Sequence, residues 1–154
     1  MAKLIINSYE EFEKYAGKDL VTSDYHRITQ EQINLFADAT LDHQWIHVDV
    51  ERARKESPYG ATIAHGYLSV SLLAYLWFQS IQVNNITMLV NYGIENLKFG
   101  QPVVVNSEVR IVTKLKAITN LRGTAKTEVE VILEIKGSNK PAFKGIIVFL
   151  YQFK

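Results

Sequence analysis

A long uncharged segment constrains the fold of this 154-residue chain more than any other feature. Between Ser57 and Ile94 there is no Asp, Glu, Lys or Arg, so we expect the segment to be largely buried. Its centre, GYLSVSLLAYLWF, is long enough for a helix, but serine and glutamine residues interrupt it. A bilayer span needs about 20 mostly apolar residues. The pattern therefore favours a buried core helix that begins near Gly66.

Three segments after Pro102 alternate apolar and polar residues with the period of a half-buried strand. They run over residues 103–116, 125–135 and about 142–153. Strands grouped after helices predict an α+β fold with an antiparallel β-sheet. We expect this sheet to wrap around the uncharged helix. Without a repeat or a linker, residues 1–154 are predicted to form a single domain.

Three short helices are predicted before the uncharged segment. Ser8 with Glu11 has the spacing of a capping box, and Thr29 with Gln32 repeats it. A third helix is expected after the cap Asp49. The predicted helices run from Ser8 to a C-cap at Gly17, from Thr29 through the apolar stripe of Ile33, Phe36 and Ala37, and from Val50 to about Lys55.

Composition excludes several classes of function. There is no cysteine, which removes disulfide scaffolds, thiolate metal sites and cysteine nucleophiles. The net charge is +1 with the two signs interspersed, so we expect no nucleic-acid partner. Arg110, Lys114, Lys116 and Arg122 favour a solvated strand face over a small anion-binding patch. The N-terminus lacks the pattern of a signal peptide, so a cytoplasmic location is expected.

Asp42 and His47 are the candidate catalytic residues. They lie five positions apart in FADATLDHQWIHVD, which would place them about 140° apart on an ideal helix. A bend between them would bring them together. An imidazole near its usual pKa can accept and return a proton at neutral pH, and a neighbouring carboxylate can orient it or share a water. A lone His47 would slightly favour a structural role, but Asp42 shifts the balance towards catalysis.

Gly66 is the candidate oxyanion site. The first N–H groups of a helix that starts there favour a developing negative charge, and glycine lets a ligand approach the backbone. Taken alone, Gly66 more often indicates tight packing or a turn. His65 is interpreted as a hydrogen-bonding residue that enters the helix. His43 and His47 have the spacing of a helical metal pair, but the bend that joins Asp42 to His47 would disrupt that helix, so we expect no metal.

The segments ATLDHQWIHVD and IAHGYLSVSLL resemble the hydratase signature of the MaoC-like dehydratases, the (R)-specific enoyl-CoA hydratases. VNYGIENLKFGQPV is similar to the branch that includes nodulation protein N. The resemblance covers most of residues 25–113. It implies a hotdog fold, in which an antiparallel sheet wraps a long central helix, and it agrees with the pattern of helices and strands.

The resemblance implies hydration of a trans-2-enoyl thioester, or the reverse dehydration, without a metal or another cofactor. Asp42 and His47 match the catalytic pair, and Gly66 matches the residue whose N–H binds the thioester oxygen. Gln44 and His65 lie in the same signature and are candidate substrate-binding residues. The implied partners are an acyl-CoA or acyl-carrier thioester and a second copy of the chain in a homodimer whose sheets join.

Two positions depart from the family pattern. Leu41 stands where the family usually has glycine, and Ala74 aligns with a serine that some members carry. A side chain at Leu41 would restrict the turn if that turn requires positive φ. A non-catalytic acyl-thioester binder is therefore one alternative. A hotdog thioesterase is the other, although the helix from Gly66 to Ser80 lacks the Asp or Glu that such enzymes often carry.

Overall fold

Residues 2–154 are described by the structure, a computed structural model. Short helices occupy the first half of the chain, and long strands follow the central helix. In chain order the elements are β1 (Leu4–Ile6), α1 (Tyr9–Glu13), β2 (Asp19–Thr22), β3 (His26–Arg27), α2 (Gln30–Thr40), α3 (Trp45–Val48), α4 (Val50–Glu56), α5 (Gly66–Ser80), β4 (Ile81–Val83), β5 (Ile86–Phe99), β6 (Glu108–Leu121), β7 (Thr124–Ile135) and β8 (Phe143–Phe153).

The main sheet is antiparallel in every described strand pair. Its strands lie in the order β2, β6, β7, β8, β5, and β3 pairs with β6 beside β2. β1 and β4 form a separate parallel pair. β5 stands at one edge of the main sheet, where β8 is its strand partner. Strands in this order, connected mainly by the hairpins β6–β7 and β7–β8, leave one face free to receive a helix.

That face packs against α5. Leu72, Leu76 and Trp77 on the helix join one apolar cluster with strand residues such as Leu115 and Val129. Burial of each such side chain contributes roughly 1.5–3 kcal/mol. Along β6 and β7 buried and more exposed residues alternate, as the sequence pattern predicts. The antiparallel sheet around a central helix is the predicted hotdog fold.

Several predicted boundaries are confirmed, and others shift. The Thr29 and Asp49 side chains cap α2 and α4 as predicted. α1 ends at Glu13, and Gly17 lies in the turn that follows. The first of the three predicted strands begins at Glu108 and not at residue 103, because residues 103–105 instead pair with residues 62–64 through backbone hydrogen bonds. Neither α3 nor the strands β1 to β5 are predicted from the sequence.

The prediction that the uncharged segment is largely buried is wrong for its last part. Met88, Tyr92 and Ile94 on β5 are 52%, 63% and 51% exposed. The cause is the position of β5 at the edge of the sheet, where a strand packs on one side only. The absence of charged residues therefore has a different meaning in the two elements. β5 is an exposed apolar edge strand, whereas α5 is mostly buried in the core.

The basic residues of β6 face solvent, as expected. Arg110 Nε donates to Glu134 Oε2 at 2.8 Å across the strand pair, and Lys114 is exposed opposite Glu130. Within the described residues, no helix is both long and apolar enough to cross a membrane.

Candidate active site

Asp42 follows a sharp change of direction at the end of α2. Leu41 adopts the left-handed conformation, with φ 64° and ψ 19°, which ends the helix and turns the chain. Asp42 comes next, and its side chain is 52% exposed. The chain therefore turns at Leu41, just before Asp42, and the predicted bend between Asp42 and His47 lies in the non-helical residues 42–44.

The conformation of Leu41 is strained. A Cβ disfavours the left-handed region by roughly 1–2 kcal/mol, whereas glycine enters it freely. The Leu41 side chain is 81% exposed, so packing offsets little of this cost. We expect Leu41→Gly to stabilise the fold by about 0.5–1 kcal/mol, allowing for the greater entropy of glycine in the unfolded chain, and to raise Tm by about 1–4 °C. Thermal unfolding measures the change.

Leu35→Gly is the matched control for that substitution. Leu35 is also exposed, at 62%, but it lies inside α2 with helical geometry. Glycine there is expected to destabilise the fold by about 1 kcal/mol. A fall in Tm for both variants would contradict the assignment of strain to Leu41.

His47 lies on α3 and is 8% exposed. Its Nδ1 is 2.7 Å from the backbone oxygen of Ile63. A carbonyl oxygen only accepts hydrogen bonds, so Nδ1 carries the proton and donates it. The neutral ring then has its lone pair on Nε2. The Ile63 carbonyl therefore selects the tautomer in which Nε2 is free to act as a base.

The environment of His47 keeps its imidazole neutral at neutral pH. Burial lowers the pKa of His47 below its ordinary value of 6.5, and the nearby His65 ring lowers it further. The hydrogen bond to Ile63 and the Asp42 carboxylate act in the opposite direction without reversing the shift. A neutral imidazole with a free Nε2 can accept a proton.

His65 lies behind the Asp42 and His47 pair. Its Nε2 is 3.0 Å from the Asp42 backbone oxygen and 4.0 Å from Asp42 Oδ2. Its ring stacks on that of His47 at a centroid distance of 3.9 Å. Nδ1 of His65 has no hydrogen-bond partner among the described residues. At 2% exposure, His65 is better placed to hold the pair than to make the predicted contact with substrate.

The Gln44 backbone connects the two members of the pair. Its N–H points to Asp42 Oδ1 at 3.4 Å, and its carbonyl accepts the His47 N–H at 3.0 Å. Gln44 itself is exposed at the N-cap of α3. Contact between its side chain and a substrate stays a prediction.

Gly66 begins α5, as the sequence predicts, and shares a cavity with His47. The cavity has a volume of about 180 Å³ and is also lined by Ser69 and Phe99. The first N–H groups of a helix lack intrahelical acceptors, and the N-cap His65 makes no capping bond with its side chain. A Cβ on Gly66 would stand 2.9 Å from Phe99 Cε1. Glycine here thus permits a contact with Phe99 that a side chain would crowd, and access of a ligand to the helix N-terminus stays a prediction.

The predicted alternative of a helical metal pair does not form. His43 precedes α3, and its Nε2 bonds to Asp38 Oδ1 at 2.8 Å instead of facing His47. Asp42, His47 and His65 do place one potential ligand atom each within 4.8 Å of one another. The absence of a metal remains a prediction.

Two residues of the site are not predicted from the sequence. Ile63 acts through its backbone carbonyl, so its side chain type carries no signal of the role. Phe99 ends β5 and reaches Gly66 only because the sheet folds around α5. Tertiary structure, and no local motif, brings both residues to the pair.

Comparison with known proteins identifies relatives along nearly the whole chain. The family model described as "MaoC like domain" matches residues 11–136. The 3-hydroxyacyl-thioester dehydratase Z of Mycobacterium tuberculosis is 46% identical over 128 residues, which cover 82% of this chain and 84% of that protein. Nodulation protein N of Rhizobium leguminosarum bv. viciae is 41% identical over 140 residues, with 89% and 86% coverage.

A solved structure supports the fold independently. The (R)-hydratase from A. caviae involved in PHA biosynthesis superposes with a TM-score of 0.69 at 22% identity. The match covers 87% of this chain and 94% of that one. At this level of identity the likeness concerns the fold alone.

Proposed function

Because the chain belongs to the MaoC-like dehydratase family, we propose that it catalyses the (R)-specific hydration of a trans-2-enoyl thioester, or the reverse dehydration. The acyl group would be carried by CoA or by an acyl-carrier protein. Asp42 and His47 would activate one water, and Gly66 would bind the thioester oxygen. No metal or redox cofactor takes part in this scheme.

The proposed reaction adds one water across the C2=C3 double bond. His47 Nε2 accepts a proton from the water as its oxygen bonds to C3, while Asp42 accepts the second hydrogen in a hydrogen bond. The π electrons move towards the thioester, and the enolate oxygen accepts the Gly66 N–H. The pair then returns a proton to C2, which restores the carbonyl.

The observation that carries the proposal is the tautomer of His47. Its Nδ1 is committed to Ile63, which leaves Nε2 as the basic atom of a ring that lines one cavity with Gly66, the first residue of α5. A base and an electrophilic helix terminus in one cavity suit proton abstraction coupled to enolate formation. The 3-hydroxyacyl-thioester dehydratase relative agrees in reaction class.

The two alternative functions have weaker support. No Asp or Glu lies on α5, where a hotdog thioesterase often has one. The alternative of a non-catalytic binder assumes that Leu41 prevents the turn before Asp42. Leu41 instead adopts the left-handed conformation, and Asp42 remains near His65 and His47. Strain at Leu41 therefore affects stability more directly than it affects the arrangement of the pair.

An assay with crotonyl-CoA separates the three functions. A hydratase removes the enoyl absorbance without releasing free thiol. A thioesterase releases CoA thiol, and a binder changes neither signal while it still binds a non-hydratable acyl-CoA in calorimetry. Longer trans-2-enoyl thioesters in the same assay define the chain length. Thiol release as the main signal would overturn the hydratase proposal.

The proposed role of His47 also predicts the pH dependence of the rate. Protonation removes the Nε2 lone pair, so kcat/KM should fall about tenfold per pH unit below the pKa of His47. That pKa lies below 6.5, so the rate should be flat around neutral pH. Since the unfolded histidine binds protons more readily, acidification through this range should also destabilise the fold. An acid limb centred above pH 6.5 would contradict this account.

We also propose that the chain acts as a homodimer. Exposed apolar residues lie on β5, among them Tyr92 and Ile94, and they border α5. Apolar residues of both elements line a groove of about 310 Å³. A free strand edge with such a surface is suited to pairing with a second copy.

Light scattering tests the dimer. The wild-type mass is expected to be twice 17.6 kDa, and Tyr92→Arg is expected to shift it towards the monomer. Leu121→Arg is the control, because Leu121 is exposed at 49% on β6 away from the β5 edge. A wild-type monomer at micromolar concentration would refute this proposal.

A further inference from the structure

The side-chain amide of Gln30, at the start of α2, forms hydrogen bonds through both its nitrogen and its oxygen. Its Nε2 donates to the backbone oxygen of His47 at 2.8 Å and to Asn34 Oδ1 at 2.9 Å. Its Oε1 accepts the hydroxyl proton of Thr62 at 2.5 Å. Because the His47 carbonyl can only accept, the orientation of the amide is determined.

Thr62 belongs to the segment that orients His47. It is 1% exposed, and its neighbour Ile63 supplies the carbonyl that binds His47 Nδ1. The Ile63 N–H donates to the Ile46 oxygen at 3.1 Å, and the Thr62 carbonyl accepts the Val105 N–H at 2.9 Å. This segment is therefore held on both sides by backbone bonds.

The amide of Gln30 joins the two partners of the His47 hydrogen bond. One end holds the backbone of His47, and the other holds Thr62, which precedes the acceptor Ile63. Movement of α3 away from residues 62–63 would break at least one of these bonds. Gln30 thus adds a side-chain link to the backbone bond from Ile63 to Ile46 between the same segments, and together they set the length and direction of the bond from His47 Nδ1 to Ile63.

We propose that Gln30 and Thr62 form a clamp that positions His47, keeping its ring in the Nδ1–H tautomer with Nε2 towards the cavity. The effect of the clamp on turnover rests on the proposed hydratase function, but its effect on the tautomer does not. Gln30 and Thr62 are positioning residues, since they act through His47 and not on the substrate. Loss of such support around a functional group typically costs 10- to 100-fold, and small misplacements of reacting groups have effects of that size.

A purely structural hydrogen bond is the competing explanation. Gln30 could stabilise the contact between α2 and α3 without affecting the ring of His47. The two explanations differ in what they predict for a folded variant. A structural bond alters Tm only, whereas the clamp alters the tautomer of His47 and kcat.

The test compares Gln30→Met with Gln32→Met. Methionine keeps the length of the side chain and removes its polar atoms. Gln32 is a matched control, because it lies on the same helix and is also half-buried, but its amide contacts His26 at 3.0 Å and not the site. Thr62→Val removes the hydroxyl from the other end of the clamp, and Thr62→Ser retains it.

Two readouts are needed, the ¹⁵N NMR signals of the His47 ring and the kinetics of crotonyl-CoA hydration. For Gln30→Met and Thr62→Val we expect a mixture of His47 tautomers and a kcat about 10- to 100-fold lower, with KM within about twofold. Gln32→Met and Thr62→Ser should match the wild type. The double variant Gln30→Met/Thr62→Val should be little worse than either single variant, because the two residues act as one unit.

Folded Gln30→Met and Thr62→Val proteins with the wild-type tautomer and kcat would overturn the clamp. If Gln30→Met does not fold, Thr62→Val decides the matter by the same readouts. An inactive wild-type protein would refute the hydratase proposal. The NMR signals would still test whether the clamp sets the tautomer of His47.

Discussion

Hydration of crotonyl-CoA is expected to slow by about 100- to 10,000-fold when His47 is replaced by alanine, and by a similar factor in Asp42→Asn. Alanine removes the only group in this scheme that takes the proton from water. Asparagine keeps the shape of Asp42 but replaces one acceptor oxygen with a donor, so it cannot hold the water in the same orientation. Initial rates at saturating substrate measure both losses.

His43→Ala is the control for these two variants. His43 lies between Asp42 and Gln44 in sequence, but its ring bonds to the exposed Asp38 and not to the pair. We expect wild-type turnover for His43→Ala, and a retained circular dichroism spectrum for all three variants. Full activity in a folded Asp42→Asn or His47→Ala protein would refute the assignment of the catalytic pair.

Gly66→Ala is expected to reduce turnover by about 100-fold, the order of effect found when stabilisation of an oxyanion is lost. The new methyl group would lie beside the backbone N–H that is proposed to bind the thioester oxygen. It would also meet the Phe99 ring, with 2.9 Å to Cε1. Steady-state rates with crotonyl-CoA measure the effect.

The double variant Gly66→Ala/Phe99→Ala separates the two possible causes. Removal of the Phe99 ring relieves the contact with the new methyl group but leaves that methyl beside the N–H. If the Gly66 N–H binds the oxyanion, the double variant should remain as slow as Gly66→Ala. If Gly66 serves only packing against Phe99, its rate should recover to that of Phe99→Ala alone, and the proposed oxyanion role would be wrong.

Local signals in the sequence predict the capped helices, α5 and the last three strands. The caps Thr29 and Asp49 satisfy the first N–H groups of their helices through side chains a few residues away, so their effect is visible in short stretches of sequence. The alternation along β6 and β7 is equally local. The start of α5 at Gly66 follows from the apolar run GYLSVSLLAYLWF inside the uncharged segment.

The sheet edge was less predictable. An uncharged, apolar run is compatible both with burial in the core and with an exposed surface suited to a partner. The same composition occurs on α5, which is mostly buried, and on β5, where Met88 and Tyr92 are exposed. Only the order of strands, which puts β5 at the end of the sheet, distinguishes the two.

The candidate site was predictable in part for a related reason. Asp42, His47 and Gly66 lie in two short motifs, and their residue types indicate their chemistry. The groups that orient them carry no such signal in their residue types. Gln30 is 17 residues from His47, and Thr62 is 32 residues from Gln30. Contacts over such separations depend on tertiary structure. The role of Ile63 is not visible in its residue type either, because it acts through its backbone carbonyl.

The conformation of Leu41 illustrates a further limit. The sequence identifies the turn before Asp42, but a leucine there argues against a left-handed residue. The structure nevertheless has Leu41 at φ 64°, because the end of α2 and the position of Asp42 beside His65 require it. Tertiary contacts outweigh a local preference of roughly 1–2 kcal/mol.

The configuration of the hydration product tests the central claim most directly. Crotonyl-CoA is incubated with the purified protein and with His47→Ala, and the 3-hydroxybutyryl product is resolved by chiral chromatography. We expect the wild type to form the (R) enantiomer and the variant to form almost none. An (S) or racemic product, or equal turnover by the variant, would contradict a single water activated by Asp42 and His47.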